Sequence, residues 1–567
     1  MKLCKNLKTP FEEKGDLDWN EYPRPQMKRD SYMSLVGEWE LYIVSEKREY
    51  YSKIQVPFPP ESRLSGVERP IQKGEKYVYV KTFNVDEAFL KDKVLLHFGA
   101  CDQMCKVFIN SEECGERVGG YLPFSLDITD SVRIGKNVIE VEVEDPLDKR
   151  YGYGKQSEKR GGMWYTPISG IWQSVWLESV PEKYFRSLKI TPGLESVEIY
   201  VDGGLDEKTL TLGDEKITFS GDSVILEIKD AINWTPENPH LYYFTLEDKE
   251  DRIESYFALR TVNIEKRGNT PYICLNGKPY FFHGLLDQGY FSDGIYTPAT
   301  PEGYIFDILE MKKQGFNTLR KHIKIEPELF YYYCDKYGML VFQDMVNSGS
   351  YSFFKDTVLP TLGFKRKKKC GAEKKRLEAF LSDSLDTLDL LYNHPSVVYY
   401  TIFNEGWGQF DADGCYEVLK HADPSRIFDT TSGWFFEALS DVESHHIYFK
   451  RIKFDKTFER PLVISEFGGY SCKIKEHSFN LSKTYGYAKC IDEKDLEGRL
   501  EALYMEQILP AIEKGLCASI LTQLSDIEDE TNGIVTYDRQ HIKTDSVRMN
   551  NIAEALFCKF KLITGEK

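Results

Sequence analysis

The apolar residues change period near Lys266, and no other feature of the sequence limits the fold as tightly. Beyond that point, short apolar runs of strand length alternate with amphipathic stretches, the pattern of repeated βα units that build a parallel sheet. The runs are PYFFHGL (279–285), FNTLR (316–320), MLVFQD (339–344), VVYYTIF (397–403), RIFDT (426–430), DVESHHI (441–447), PLVISE (461–466) and CASILTQ (517–523). Eight such units predict a (β/α)8 barrel over 265–567. Helix punctuation agrees. Thr300, Pro301 and Glu302 read as an N-cap, a first-turn proline and a first-turn acid, and Pro327 and Gly338 bracket the next helix. Leu377, Phe380, Leu381, Leu385, Leu388 and Leu391 form one helical stripe that reads as barrel packing, and Pro395 ends that helix before the fourth strand.

Upstream the period is two. Alternating runs such as KYVYVKTFNV, KVLLHFG, CKVFIN and NVIEVEVED, broken by Gly, Pro, Asn and Asp, predict a jelly-roll-like antiparallel β-sandwich over 1–181. Seven further runs of strand length fit an immunoglobulin-like sandwich over 182–264. The expected chain is therefore multidomain, with two β-sandwiches ahead of the catalytic barrel.

Charge and composition narrow the function. The chain carries 73 basic and 90 acidic side chains, a net −17, which would repel a phosphate backbone, so nucleic acid is not an expected partner. No apolar stretch reaches the 18 or so residues of a spanning helix, and the first residues, MKLCKNLKTPFEEKGD, lack the apolar core of a secretory signal. The expectation is a cytoplasmic protein with no membrane partner. The twelve cysteines are scattered with no CxxC pair and read as reduced thiols. KRKKK (365–369) reads as a solvated loop, and YGYGKQSEKRGG (151–162) as a sandwich loop reaching toward the barrel mouth, since it lacks the order of a phosphate loop.

A (β/α)8 barrel presents its reacting groups at the C-terminal ends of its strands. Glu405 stands there after the fourth strand and Glu466 at the end of the seventh, across the barrel. Two carboxyls facing one cavity suit the cleavage of a glycosidic bond, in which one protonates the leaving oxygen and the other attacks or stabilises the cationic sugar carbon. Their pKa values must then differ: desolvation or a negative neighbour keeps one protonated, and a cation keeps the other ionised. Trp407 and Trp434, just past the fourth and fifth strands, could stack on the C–H face of a sugar. No HxH or HxxxH spacing surrounds Glu443, His445 and His446, so no metal site and no cofactor is expected.

The domain order and seven motifs, GMWYTPISGIWQSVWLE (162–178), WTPENPHLYYFTL (234–246), FALRTV (257–262), LNGKPYFFHG (275–284), GFNTLRKHI (315–323), FNEGWG (403–408) and ISEFGG (464–469), resemble glycoside hydrolase family 2 over nearly the whole chain. That family holds β-galactosidases, β-glucuronidases and β-mannosidases. The resemblance implies a retaining double displacement with Glu405 as acid/base and Glu466 as nucleophile, roughly 5 Å apart. It also implies that Asn404 bonds the sugar 2-hydroxyl, that Arg320 lies beneath the nucleophile, that His322 lies near the sugar, and that the segment after the sixth strand supplies a sugar ligand and a tyrosine, Tyr448, close to the nucleophile. Alternation along that strand puts His445 and His446 on opposite sides, and His446 is the one expected to face the cavity. Family members are often dimers or tetramers, so a homo-oligomer is an expectation of the resemblance.

Some positions depart from the family. Asp287 and Gln288 stand where many members have an Asn-Arg-His-Glu stretch, and they are expected to bond outer sugar hydroxyls. The Asn-x-Lys motif with which β-glucuronidases grip the sugar carboxylate has no lysine in DIEDETNGIVTYDR (526–539), and Asp526, Glu528, Asp529 and Glu530 would repel an anionic sugar. LTQLSD lacks the tryptophan many members place at the end of the eighth strand. The expected activity is exo-hydrolysis of a terminal β-linked neutral hexose, a β-galactoside first, with an oligosaccharide or glycoside as substrate. The rivals are a β-glucuronidase or β-galacturonidase and, from another class, a non-catalytic carbohydrate-binding protein.

Overall fold

The computed structural model describes residues 3–4, 6–13, 18–359, 374–435 and 438–566. The basic loop 365–369 and Cys370 lie outside the described residues.

All eight expected barrel strands form, in chain order β1 (Phe282–Asp287), β2 (Thr318–Lys321), β3 (Leu340–Asp344), β4 (Val397–Phe403), β5 (Ile427–Thr431), β6 (Glu443–Ile447), β7 (Leu462–Gly468) and β8 (Leu516–Thr522). They make one parallel sheet in the order β5-β4-β3-β2-β1-β8-β7-β6, a barrel whose ladder is open between β5 and β6. Every residue of β4, β7 and β8 is buried. Their runs are continuously apolar because side chains fill the barrel on one face and helices cover the other. The helix Lys374–Leu391 supplies part of that cover, burying Phe380, Leu388 and Leu391 and packing Leu377, Leu381 and Leu385 against the same core.

Two local expectations change. The first strand begins at Phe282, because Lys278–Pro279 turns aside to pair with Thr270–Leu275 in a small antiparallel sheet. The helix Glu302–Lys313 starts from Pro301, and the Thr300 hydroxyl is buried without a partner, so that helix has no side-chain cap. Pro327 and Gly338 do bracket the helix Glu328–Tyr337. Gly338 is left-handed at φ 75°, and a Cβ there would stand 2.5 Å from the carbonyl oxygen of Pro236, so both conformation and space require glycine.

The N-terminal sandwich packs a four-stranded sheet (Tyr32–Ser34, Val175–Val180, Lys93–Phe98, Phe124–Asp127) on a six-stranded one that includes Gly37–Val44, Lys76–Val85 and Gly135–Glu144. Burial alternates along Gly135–Glu144, as a sheet with one wet face requires. Its core is built from Trp39, Tyr77, Val107, Val141 and Leu177 among others. Seven strands between Phe185 and Phe257 then form a three-stranded and a four-stranded sheet, the expected immunoglobulin-like sandwich. The division of the chain at 181 falls between strands, whereas 264 falls inside the strand Val262–Arg267, which pairs with Thr270–Leu275. The eleven described cysteines are unpaired. No described helix is long and apolar enough to cross a membrane.

A separate apolar cluster fixes the sandwich to the barrel. Tyr121, Tyr165, Ile168 and Trp172 of the sandwich pack with Tyr290, Tyr296, Ile325 and Ile527 of the barrel loops. The 151–162 segment therefore lies on the barrel mouth, where the Tyr153 N–H donates to the Asn347 carbonyl at 3.1 Å and Arg160 reaches Glu528 at 3.0 Å.

Candidate active site

β4 ends at Phe403 and the chain turns sharply through Asn404–Gly406. Glu405 lies in the left-handed region at φ 49°, ψ 25°. For a non-glycine residue this costs on the order of 1–3 kcal/mol, and such strain persists where the surroundings over-determine it. Ser432, just past β5, does so: its hydroxyl accepts from the Glu405 N–H at 3.2 Å and donates to Asn404 Oδ1 at 3.2 Å. The turn aims the Glu405 carboxylate into the barrel mouth toward Glu466 on β7. An oxygen of each carboxylate and a nitrogen of His446 all lie within 4.8 Å of one another.

Arg320 of β2 is the hub beneath them, with no exposed side-chain surface. Its guanidinium grips Asp344 with two hydrogen bonds, at 2.9 and 3.0 Å, and donates to Glu466 Oε1 at 3.0 Å, to the Ser465 carbonyl at 2.9 Å and to Asn404 Oδ1 at 2.8 Å. It also faces His446 Nε2 at 3.3 Å. A guanidinium only donates, so Nε2 accepts and the imidazole proton is assigned to Nδ1, which donates to Glu405 Oε1 at 3.0 Å. His445 points the other way, beside Phe454 and Phe458, with Glu443 at 3.3 Å. His446 can come this close because Gly433 opposite has no side chain: a Cβ there would stand 2.9 Å from the imidazole.

The two glutamates are electrostatically unlike. Burial would raise both. At Glu466 the adjacent His446 ring and the Arg320 guanidinium outweigh burial, and the carboxyl is held down to about 2. Tyr448 adds a short hydrogen bond to Glu466 Oε2 and is itself braced by Thr522 at 2.9 Å and by stacking on Tyr487 at 4.0 Å. At Glu405 desolvation dominates and the negative charge of Glu466 adds to it, so its carboxyl is raised even against the His446 hydrogen bond. His322 donates from Nδ1 to Asp344 Oδ2 at 2.8 Å, and burial lowers it to about 4, which leaves it neutral at neutral pH. Glu405, His446 and Glu466 have metal-ligand types at metal-ligand separations, but Arg320 already supplies a fixed cation against both His446 and Glu466.

Of the residues picked from the sequence, the structure gathers Glu405, Glu466, Asn404, Arg320, His446 and Tyr448 into one hydrogen-bonded set, with His322 joined through Asp344. Trp434, half-buried, meets the His446 ring edge-on at 6.0 Å. Three others are elsewhere engaged. Trp407 is only 2% exposed, stacked on Trp164 at 5.6 Å with Tyr351 against its edge, so neighbouring rings cover it as a sugar platform. Asp287 pairs with Lys321 at 2.6 Å and accepts from the Gly289 N–H at 2.9 Å. The Gln288 amide donates to Gln523 at 2.9 Å. Both belong to buried networks whose partners, Lys321 and Gln523, lie on neighbouring strands and loops.

The acidic stretch after β8 is corrected more fully. Asp526 accepts from Lys543 at 2.5 Å, Arg160 lies 3.0 Å from Glu528 and 3.4 Å from Asp529, and Glu530 accepts from Tyr165 and, at 3.1 Å, from Asn532. Lys543 offsets Asp526 and the single Arg160 is shared by Glu528 and Asp529, while Glu530 is held only by neutral donors, so the repulsion expected of this stretch is reduced rather than cancelled. Sequence reasoning passed over Asp344 and Ser432. Asp344 ends β3, and the rule that singled out the two glutamates would have found it. Ser432 acts from the loop after β5 and carries no local signal.

The comparisons agree with this geometry. The family model "Glycosyl hydrolases family 2, sugar binding domain" matches residues 14–181, and "Glycosyl hydrolases family 2, TIM barrel domain" matches residues 268–474. A β-galactosidase of Leuconostoc mesenteroides is 25% identical over 464 residues, 75% of this chain and 41% of that protein. A putative β-glucuronidase of Formosa agariphila is 25% identical over 387 residues, 63% of this chain and 34% of its own. The chain thus spans well under half the length of these relatives. Among solved structures, a Ruminococcus gnavus β-glucuronidase superposes with a TM-score of 0.74 at 18% identity, covering 95% of this chain and 100% of that one. An Eisenbergiella tayi β-galacturonidase bound to galacturonate gives 0.67 at 19%, covering 94% and 99%. With both of its end domains matched in their expected order and the barrel carrying the paired glutamates at β4 and β7, this chain belongs to glycosyl hydrolase family 2.

Proposed function

We propose that the protein is an exo-acting retaining β-glycosidase that removes one terminal β-linked pyranose. The observation that carries this reading is the separation of at most 4.8 Å between carboxylate oxygens of Glu405 and Glu466. Retaining enzymes set their carboxyls about 5–5.5 Å apart, whereas inverting ones need roughly 6.5–9.5 Å to admit a water. The electrostatic asymmetry supports this division of roles. Glu405, raised, donates its proton to the glycosidic oxygen while ionised Glu466 attacks the anomeric carbon, and the aglycone leaves as an alcohol. Glu405, now a carboxylate, takes a proton from water, whose oxygen displaces Glu466 and returns the sugar with its configuration kept. Asn404 spends its Oδ1 on Arg320 and Ser432, which leaves its NH2 to donate to the sugar 2-hydroxyl as charge develops. The sandwich loop lying on the mouth, with Arg160 on Glu528 and Trp164 on Trp407, favours a site closed at one end and hence exo action. The neutral hexose expected from the acidic stretch is less strongly supported, because Lys543 and Arg160 offset part of its charge.

Glu405→Ala tests the assignment. On a poor leaving group kcat/KM is expected to fall about 10²–10⁴-fold, and on a dinitrophenyl glycoside far less, because an activated phenol needs no proton. Equal losses on both substrates would remove Glu405 from the acid role. Proton NMR of the first-formed sugar should show the β anomer, and initial release of the α anomer would end the retaining reading.

The pH profile should be bell-shaped. Activity needs Glu466 ionised and Glu405 protonated, so it rises as pH climbs past the low titration of Glu466 and falls as pH climbs past the raised titration of Glu405; the two limbs report the pair. His446 lowers both groups, so His446→Ala should move both limbs of kcat/KM to higher pH. Limbs that stay in place, in a variant that folds, would show that His446 does not tune the pair.

A further inference from the structure

The sandwich loop that covers the barrel mouth carries one charge that the mechanism above leaves unused. Lys155 is 8% exposed. Its backbone is pinned: its carbonyl accepts from the Tyr165 N–H at 3.0 Å, and Gln156 beside it donates to Asp102 at 3.1 Å and to the Tyr121 hydroxyl at 3.0 Å while accepting from the Ile168 N–H at 2.6 Å. The side chain runs between two rings, placing Nζ 5.9 Å from the centroid of Tyr165 and 5.8 Å from that of Trp407, two residues past Glu405.

Among the described residues, Nζ has neither a hydrogen bond nor an ion pair. The cations around it differ in this respect: Arg320, Lys321, Lys324, Arg160 and Lys543 each hold a carboxylate. A lysine whose side chain is largely buried beside the reacting carboxyls, with no acceptor bonded to its ammonium, is a candidate for binding an anionic ligand. Its field reaches Glu405, Glu466 and Glu530, favouring their charged forms, and His322, disfavouring its protonation. These four groups come from the ends of β4 and β7 and from the loops after β8 and β2, so the charge of Lys155 acts on the C-terminal face of the barrel where they stand.

We propose that Lys155 receives an acidic group on the sugar ring itself, so that the substrate is a β-linked uronic acid whose carboxylate pairs with Nζ while its anomeric carbon lies between Glu405 and Glu466. The group is assigned to the sugar and not to the aglycone because Nζ packs beside Trp407, two residues past Glu405, and its charge acts on both glutamates. The cation would come from the N-terminal sandwich, in place of the barrel lysine missing from 526–539. The proposal rests on the glycosidase reading above.

The test compares nitrophenyl β-glucuronide, β-galacturonide, β-glucoside and β-galactoside on the wild type, Lys155→Met and Lys155→Arg. In the wild type one uronide is expected to exceed its neutral counterpart by on the order of 100-fold in kcat/KM, the size of a buried charge-assisted hydrogen bond. In Lys155→Met that ratio should collapse toward one, mainly through a higher KM for the uronide, and Lys155→Arg should restore part of it. Should Lys155→Met not fold, competition on the wild type serves instead, and glucuronate or galacturonate should inhibit at far lower concentration than glucose or galactose. Neutral glycosides turned over in preference, a ratio unmoved in Lys155→Met, or free neutral sugars binding as well as uronates would each overturn the role of Lys155 and leave the hydrolase reading standing. No turnover of any glycoside, in a folded wild type, would overturn both.

Discussion

Glu466→Gln is expected to abolish turnover, lowering kcat on the preferred aryl β-glycoside on the order of 10⁴-fold or more, because an amide cannot form the glycosyl ester on which double displacement depends. The substitution keeps the shape of the side chain and one of the two oxygens that Arg320 and Tyr448 separately use, so the loss should appear mainly in kcat while circular dichroism remains close to wild type. An activated leaving group should not rescue it, which separates it from Glu405→Ala. A 2-fluoro sugar with a good leaving group should trap the ester, and peptide mass mapping should find the added mass on the peptide carrying Glu466. A label on another carboxylate, or a Gln variant within about tenfold of wild type, would give the nucleophile's role to another residue.

Arg320→Met carries the second large effect, on stability and chemistry together. The guanidinium is fully buried among Asp344, Glu466, Asn404 and the Ser465 carbonyl. Removing one member of a buried charge pair costs about 3–5 kcal/mol, because the carboxylates left behind have neither water nor a counter-ion. Calorimetry should therefore show a lower melting temperature. The carboxylates should respond in turn: without the cation the burial penalty on Glu466 is less opposed, its titration rises from about 2, and the acid limb of the pH profile moves up. Lysine should not substitute, since one ammonium cannot bond Asp344 through two donors and still reach both Glu466 and Asn404. A variant that melts with the wild type and keeps its pH profile would show that Arg320 neither supports the barrel nor sets the charge of Glu466.

Legibility in the sequence followed the range of the interactions. The eight barrel strands were readable because each is a short run closed by a local stop signal, and β1 shifted most, where Lys278–Pro279 joins another sheet, the others differing by no more than two residues at an end. Glu405 and Glu466 were readable because a (β/α)8 barrel exposes the ends of its strands. Alternation separated His446 from His445, a consequence of the two-residue period alone. Asp287, Gln288 and Trp407 were in the right place in the chain, yet their neighbours in space, Lys321, Gln523 and Trp164, engage them. The acidic run 526–530 looked like a negative patch until Lys543 and Arg160, both distant in sequence from it, were seen to pair with it.

By itself the chain's order of residues determined the βα repeat, the two sandwiches ahead of it and the strand ends at which reacting groups can stand, since periodicity and turn chemistry act over a few neighbours. Only the folded molecule decided which of those groups face each other, which charges are cancelled and which is left over. A carboxylate's pKa and a lysine's need for a partner depend on what lies within a few ångströms in space, and although the 151–162 loop was expected to reach toward the barrel mouth, which of its side chains stands beside the site no local pattern encodes.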